Sequence, residues 1–267
     1  MTFERILPCA ELEHLVQSYW IIQDNSRDVH QQKIIPDGYP EIIFHFGDAY
    51  RINITGSWCA QTKGLLAGQL TRHFHLQNTG PSEMVGIKLQ PTAVTHLFGI
   101  SMDSLTDRVV DLHEAMPGVW RDCEQQLNNF DRTADRIKLI ETFLKANLPS
   151  NSSASHPANI ATRHILERHG MVTVQELTEL LSISERALQQ HFKKFVGLPP
   201  KLYARIVRFN YVFEIISNKP ANWMDVVVAA GYYDQSHFIR NFRDFTGEEP
   251  GAYGFNEATM ANFFLKK

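Results

Sequence analysis

The stretch SISERALQQHFKKFVGLPPKLY, Ser182 to Tyr203, decides the reading of this chain, because its pattern returns 50 residues later. Leu188, Phe192, Phe195, Gly197, Pro200 and Tyr203 recur as Phe238, Phe242, Phe245, Gly247, Pro250 and Tyr253, while Lys193 recurs as Arg243 and Leu177 as Val227. Self-similarity held position by position marks one supersecondary unit used twice. In each copy the apolar residues fall at i, i+4 and i+7, the spacing of one buried helical face. The opposite face carries Arg186, Gln189, Gln190 and Lys193 in the first copy, and Ser236, Ile239, Arg240 and Arg243 with Gln235 beside them in the second. Arginine and glutamine have forked ends that match guanine and adenine edges in the major groove, and an outward isoleucine can meet a thymine methyl.

A short helix and a tight turn precede each of these helices: Val174 to Leu181 then Ser182-Ile183-Ser184, and Trp223 to Ala230 then Gly231-Tyr232-Tyr233-Asp234. Thr173 with Glu176 and Ser182 with Glu185 have capping-box spacing, and Asn222 with Asp225 is a near variant. Helix, turn, then a helix with a polar and basic outer face is the helix-turn-helix layout. One copy alone would equally be an ordinary amphipathic hairpin with a solvated charged face. Two copies joined by a single helix, Lys201 to Ser217, point to DNA reading. A helix of that length spans about 25 Å, which with the width of the flanking units sets two reading helices about 34 Å, one DNA turn, apart.

These residues resemble the two-helix-turn-helix domain of AraC/XylS-type transcription regulators. The likeness is carried by Gly231-Tyr232, Ser236, Phe238, Arg240, Phe242, Arg243, Gly247, Pro250 and Tyr253, with Leu188, Phe192, Lys193, Gly197, Pro200 and Tyr203 in the first copy, and it covers roughly 159 to 256. It implies that the two outer faces enter successive major-groove segments of double-stranded DNA, and that RNA polymerase is a partner if the regulator activates. Two positions depart from the family pattern: Gly254 stands where arginine is common after the tyrosine, and Asp244 where a second basic residue is common.

The chain length of 267 residues suits two domains, and 43% apolar residues supply two cores. The net charge of −3 becomes informative once divided: residues 1 to 155 hold 13 basic against 18 acidic side chains, and 156 to 267 hold 13 against 11. A modestly basic footprint is thus attached to an acidic partner domain. The N terminus lacks a basic segment followed by an apolar run, and no stretch approaches membrane-spanning length, so a cytoplasmic protein with no membrane partner is expected. Cys9, Cys59 and Cys123, odd in number and widely spaced, argue against a disulfide framework.

From about Leu15 to Leu89 the runs VQSYWIIQ, EIIFHFG, YRINITG, KGLLAGQ, RHFHLQN and EMVGIKLQ read as short strands between turn signals, an antiparallel barrel or sandwich. Helical spacing follows at Thr92 to Phe98, Trp120 to Phe130 and Arg132 to Leu148, where Ile137, Ile140, Leu144 and Leu148 form a stripe with Phe143 alongside. The expected plan is α+β: an effector-binding or dimerisation domain at 1–149, a polar linker at 150–158 that begins with SNSSASHP, and an all-α DNA-binding domain at 159–258 with helix-turn-helix units at 173–196 and 223–246. IIPDGYPEIIFHFGD and VGIKLQPTAVTHLFGIS also resemble an N-terminal domain recurring in one branch of the family.

Three readings of the N-terminal half stay open. The aromatic residues Tyr19, Trp20, Tyr39, Phe44, Phe46 and Trp58 could line a cavity for a small-molecule effector or simply form core. The stripe on 132–148 could pair two chains in a homodimer or pack within one. His45, His73 and His75 are candidate metal ligands if they converge, which would make the alternative a metal-dependent cupin-like enzyme fused to a DNA-binding tail. No phosphate loop, nucleophile elbow or Cys-x-x-Cys pair occurs, so no catalytic residue and no cofactor is assigned. The expected protein is a sequence-specific transcription factor and not an enzyme.

Overall fold

The computed structural model describes residues 1–148, 155–218 and 222–266. Ten strands come first: β1 (Thr2–Ile6), β2 (Val16–Asp24), β3 (Gln31–Ile34), β4 (Glu41–His45), β5 (Arg51–Asn53), β6 (Cys59–Ala60), β7 (Gly64–Ala67), β8 (Phe74–Gln77), β9 (Ser82–Leu89) and β10 (Val109–Asp111). They form a six-stranded sheet in the order β1-β2-β9-β4-β7-β10 and a four-stranded sheet in the order β3-β8-β5-β6, with every strand pair antiparallel. The six runs expected as strands all carry one, and β1, β3, β6 and β10 are additions.

Strand alternation sorts the larger sheet's side chains between two cores. On β4, Ile42 and Phe44 join the first core, while Glu41, Ile43 and His45 point to the opposite face. On β2, Tyr19 and Ile21 join the first core while Trp20 and Ile22 face the second. The first core is closed by helices α1 (Ala93–Phe98), α2 (Leu112–Ala115), α3 (Arg121–Leu127) and α4 (Thr133–Ala146). The second lies between the two sheets and forms a lumen. Gly86, which pairs with Trp20 on β2 and Ile43 on β4, leaves room there for the Trp20 indole, which a Cβ at that position would strike.

The stripe on α4 is spent inside the chain. Ile137, Ile140 and Leu144 are buried in the first core, and the Phe143 ring lies 4.3 Å from Trp120. Only Leu148 stands exposed, so the stripe offers no seam to a second copy. Of the expected linker, residues 150–154 lie outside the described residues, and its end is already helix, since α5 (Pro157–Glu167) starts at Pro157 with the His156 side chain capping it.

The remaining helices are α6 (Val174–Leu181), α7 (Glu185–Phe195), α8 (Pro200–Asn218), α9 (Trp223–Ala229), α10 (Gln235–Thr246) and α11 (Met260–Leu265). α8 is the axis: Tyr203, Ile206, Phe209, Val212 and Phe213 are buried, and α6–α7 and α9–α10 share one core with it. Among the described residues no helix is long and apolar enough to cross a membrane.

α11 follows the repeat and leaves it. Met260 is buried in the lumen core, Phe264 meets Trp20 edge-on at 5.1 Å, and Phe263 stacks on Phe3 at 5.0 Å. Arg5 on β1 donates to the carbonyls of Phe263 and Lys266 at 2.6 and 2.7 Å, satisfying orphan acceptors at the helix end. The last helix of the chain thus plugs the space between the two N-terminal sheets.

Candidate nucleic-acid interface

Each helix-turn-helix unit is locally specified. Thr173 and Glu176 form a full capping box on α6, as their spacing predicts. The expected second box, Ser182 with Glu185, does not form: Ser182 is the C-cap of α6 in the left-handed region, and Ser184 caps α7 by accepting from the Ala187 N–H at 3.2 Å. The three-residue turn is too short for both serines to cap one helix. In the second unit Asn222 accepts from the Asp225 N–H at 3.0 Å and Asp234 from the His237 N–H at 2.7 Å.

The two outer faces stand where the helical spacing puts them. Arg186, Gln190 and Lys193 on α7 are exposed, and with half-buried Gln189 they border a concavity completed by Gly197, Leu198 and Pro199. On α10, Gln235, Ser236, Arg240 and Arg243 are exposed. Ile239 differs from expectation: it is half-buried and packs against the C-terminal core, so only part of it is available outward.

Two of the basic side chains already have anionic neighbours. Lys193, with 71% of its side chain exposed, lies 3.6 Å from Asp103 of the N-terminal half. Ser101 donating to Asp103 at 2.5 Å, and then Lys193, hold that carboxyl below the usual range. Arg243 pairs with Glu249. Of the two departures, Asp244 accepts from Arg205 of α8 at 2.9 Å, and Gly254 leaves room for the Glu257 carboxyl, which a Cβ there would strike.

Basic residues on α8 add to the surface and were absent from the expected set. Lys201, Arg205 and Arg208, spaced i, i+4 and i+7, line a cleft between the two units with His237 of α10 and Thr173. Arg208 is committed to the Gly170 carbonyl at 2.9 Å, while Lys201 is exposed. Their helical spacing is legible in the sequence, where the helix itself reads as a spacer between the two units.

The N-terminal half grips the C-terminal half at several points. Thr95 and Thr106 donate to the carbonyls of Lys194 and Gly197 at 3.1 and 2.6 Å, at the C-terminal end of α7. Asn210 of α8 donates to the Asp37 carbonyl at 2.7 Å. His96, His156 and His191 follow one another at ring distances of 5.4 and 5.1 Å beside Phe195.

The three expected metal-ligand candidates do not converge. His73 and His75 meet edge to face at 5.7 Å, with His73 against Gly247 of the C-terminal half, whereas His45 lies in the lumen near Tyr50. Among the described residues no group of three or more His, Cys, Asp or Glu is placed to hold a metal ion. The geometry required by the metal-dependent alternative is therefore missing.

His45 is 3% exposed, and burial holds its pKa down to about 4. Unfolded histidine titrates near 6.5, so the unfolded chain binds more protons between those values. Stability is then full above about pH 6.5 and is lost as pH falls toward 4, by about 3 kcal/mol for a fully expressed shift. Urea unfolding at about pH 7 and about pH 4.5 should show this loss, and His45→Leu should flatten it. A smaller part should persist from half-buried His156, which burial and then His191 and His96 also hold near 4. An acid slope unchanged in the variant would mean that His45 reaches water.

Comparison with known proteins agrees with this geometry. A helix-turn-helix domain family matches residues 177–254, and a domain of unknown function (DUF6597) matches residues 4–111. No curated protein matches the chain. Solved structures of ToxT from Vibrio cholerae share the fold: a 1.65 Å form at 8% identity covers 95% of this chain and 98% of that one with a TM-score of 0.51. A second, bound to a methylnaphthalenyl butenoic acid, gives 9% identity, 99% and 100% coverage and 0.51. A third, bound to an unsaturated fatty acid, gives 10%, 89% and 94%, and 0.50.

Proposed function

We propose that this chain, a transcription regulator whose C-terminal half is an AraC/XylS-type DNA-binding domain, reads two successive major-groove segments with α7 and α10 and answers to a small molecule held in its N-terminal half. The carrying observation is that both helices present polar, basic faces outward from one core built on α8. Arg186, Gln189, Gln190 and Lys193 read one segment, and Gln235, Ser236, Ile239, Arg240 and Arg243 the other. Lys201, on the cleft between the units, meets backbone phosphate and carries no sequence information.

Division of the chain follows the same reading: 1–149 as the effector half and 159–258 as the DNA-binding half, with RNA polymerase engaged where the bound site lies upstream of a promoter. We read the protein as cytoplasmic and as a binder with no reaction of its own. Small-molecule control is supported by the lumen between the two sheets and by the small carboxylic acids bound to the similarly folded ToxT.

Selection of bound sites from random duplex DNA with the full-length chain tests the reading. Two short sequence blocks about one helical turn apart are expected. No enrichment of any sequence would overturn it. Gln189→Ala and Arg240→Ala should each relax preference at particular bases and cost about 1–3 kcal/mol on the selected site. Binding isotherms on matched and mismatched duplexes check this, and unchanged preference in both variants would remove those faces as readers.

A further inference from the structure

The lumen behind α11 has a chemistry that specifies its occupant. It is lined mostly by apolar side chains, among them Ile22, Ile43, Phe74 and Met84 from the sheets and Met260 and Phe264 from α11. Its cavity volume is about 60 Å³, less than half of the about 150 Å³ that takes benzene. The occupant is therefore a short molecule of about three to four heavy atoms.

The charges at its α11 end are already matched. Lys88 pairs with Asp37 and lies 3.8 Å from Glu41, and Trp20 donates to Glu41 at 3.1 Å. Arg5 is committed to the end of α11. Asp24, buried on the lumen side of β2, accepts from Tyr50 at 2.9 Å and faces His30 at 3.1 Å. Arg5 also lies close enough to Asp37 and Glu41 to feel both charges, so two cations balance the two carboxylates that line this end, and it offers no unmatched charge to a carboxylate or an amine.

The opposite end is different. His45 and Gln61 both line the lumen, and Gln61 stands beside the His45 ring. Yet both ring nitrogens of His45 and Gln61 Oε1 are buried without a hydrogen bond of good geometry, and the nearby Gln61 oxygen could serve at most one of the two ring nitrogens. A neutral imidazole has one donor and one acceptor, and an amide oxygen accepts. Buried polar atoms left unsatisfied in a site with room beside them are the mark of a missing partner.

We propose that the lumen binds a small uncharged molecule, apolar over most of its surface and ending in a hydroxyl or amide that bonds to His45 and Gln61. This deepens the small-molecule control proposed above and rests on it only for the regulatory consequence. Such a molecule differs in charge from the carboxylic acids bound to ToxT. Its apolar body seats against Met260 and Phe264, so occupancy bears directly on the helix that continues from the second reading unit. Ligand and DNA-binding half thereby share a wall.

The test uses three short probes of equal chain length, 1-propanol, propanoate and propylammonium, titrated into the full-length protein near neutral pH by calorimetry and thermal unfolding. Propanol is expected to bind at millimolar concentrations and to raise the unfolding midpoint, with the two ions at least about tenfold weaker. That factor corresponds to about 1.4 kcal/mol, less than the cost of desolvating an unpaired charge. His45→Leu and Gln61→Met remove the polar atoms at nearly constant volume, and neither His45 nor Gln61 Oε1 has a well-formed hydrogen bond to lose. Each should weaken propanol by about fivefold to tenfold, the worth of one net hydrogen bond, while leaving the unliganded protein folded. Tighter binding of propanoate or propylammonium would overturn the ligand class. Propanol binding unaffected by both substitutions would overturn the roles of His45 and Gln61. Failure of all three probes to bind would overturn the site. None of these measurements contains DNA, so their failure leaves the DNA-reading proposal standing, and failure of the site selection leaves this one.

Discussion

Replacing Phe242 by alanine is expected to destabilise the protein by about 3–5 kcal/mol, the cost of emptying a fully buried aromatic site. Phe242 is completely buried on α10, and its ring lies 5.5 to 5.8 Å from those of Phe209, Phe238, Tyr253 and Phe255, and 6.1 Å from Phe213. It therefore ties α10 to α8 and to the segment leading into α11. Aromatic pairs add to what area burial alone supplies, and a site walled by five other rings cannot collapse around a methyl. DNA binding should be lost as the second unit unfolds, which separates this variant from Arg240→Ala, expected to fold normally and misread. The check is urea unfolding followed by circular dichroism, with Phe242→Leu as a control that keeps most of the volume and should cost distinctly less. A cost near 1 kcal/mol for the alanine would mean that the cluster rearranges, and that Phe242 is one contact among many.

The same residue shows why the C-terminal half was legible in advance. A helical core and its outward face follow from spacing alone, and a pattern printed twice confirms itself: Phe192 and Phe242, read as equivalent, are both fully buried. Strands β1 and β3 gave no such signal. β1 alternates weakly at a sheet edge, and β3 is the polar run Gln31-Gln32-Lys33-Ile34, whose Lys33 is used across the interface on the Thr246 carbonyl at 2.9 Å and on Glu248. Such a strand is specified by partners distant in sequence, which local periodicity cannot see. α11 is silent in the sequence for the same reason. Its six residues are too few to show a period, and its apolar side chains are explained only by a lumen formed by strands of the N-terminal half.

For the candidate sites the residues were found before their chemistry. In sequence His45 reads as a candidate metal ligand with His73 and His75, but strand placement sends it to the lumen and the other two to the interface. The α4 stripe is apolar in sequence and in structure, and packing such as Phe143 on Trp120 uses it inside one chain. Sequence spacing reports which side chains share a face. It is silent on what that face meets.

Lys88→Met is expected to cost about 3–5 kcal/mol, because it leaves buried carboxylates without their cation. Lys88 is 3% exposed, pairs with Asp37, lies 3.8 Å from Glu41, and sits 4.8 Å from the Phe264 ring of α11. Methionine fills the volume of the stem, so the loss is electrostatic rather than a cavity. Burial raises the Glu41 carboxyl above the usual carboxylate range, with Lys88 opposing that rise and Asp37 reinforcing it. Without Lys88 the folded-state value must climb further above the unfolded one of about 4.5. A group raised in the folded state contributes stability that is present below its unfolded pKa and lost as pH rises through its folded pKa. The variant should accordingly lose more relative to the parent at about pH 8 than at about pH 5. Adding Asp37→Asn removes one of the two stranded carboxylates and should restore part of the loss at high pH, while the Asp37 carbonyl that accepts from Asn210 is unchanged by the substitution. Thermal unfolding of the parent, the single variant and the double variant at both pH values measures all of this. A single variant within about 1 kcal/mol of the parent at high pH, the range of an exposed ion pair, would show that water reaches Asp37 and Glu41 past α11. In that case α11 is a loose cover rather than a plug, and the lumen could not exclude charged ligands on the grounds argued above.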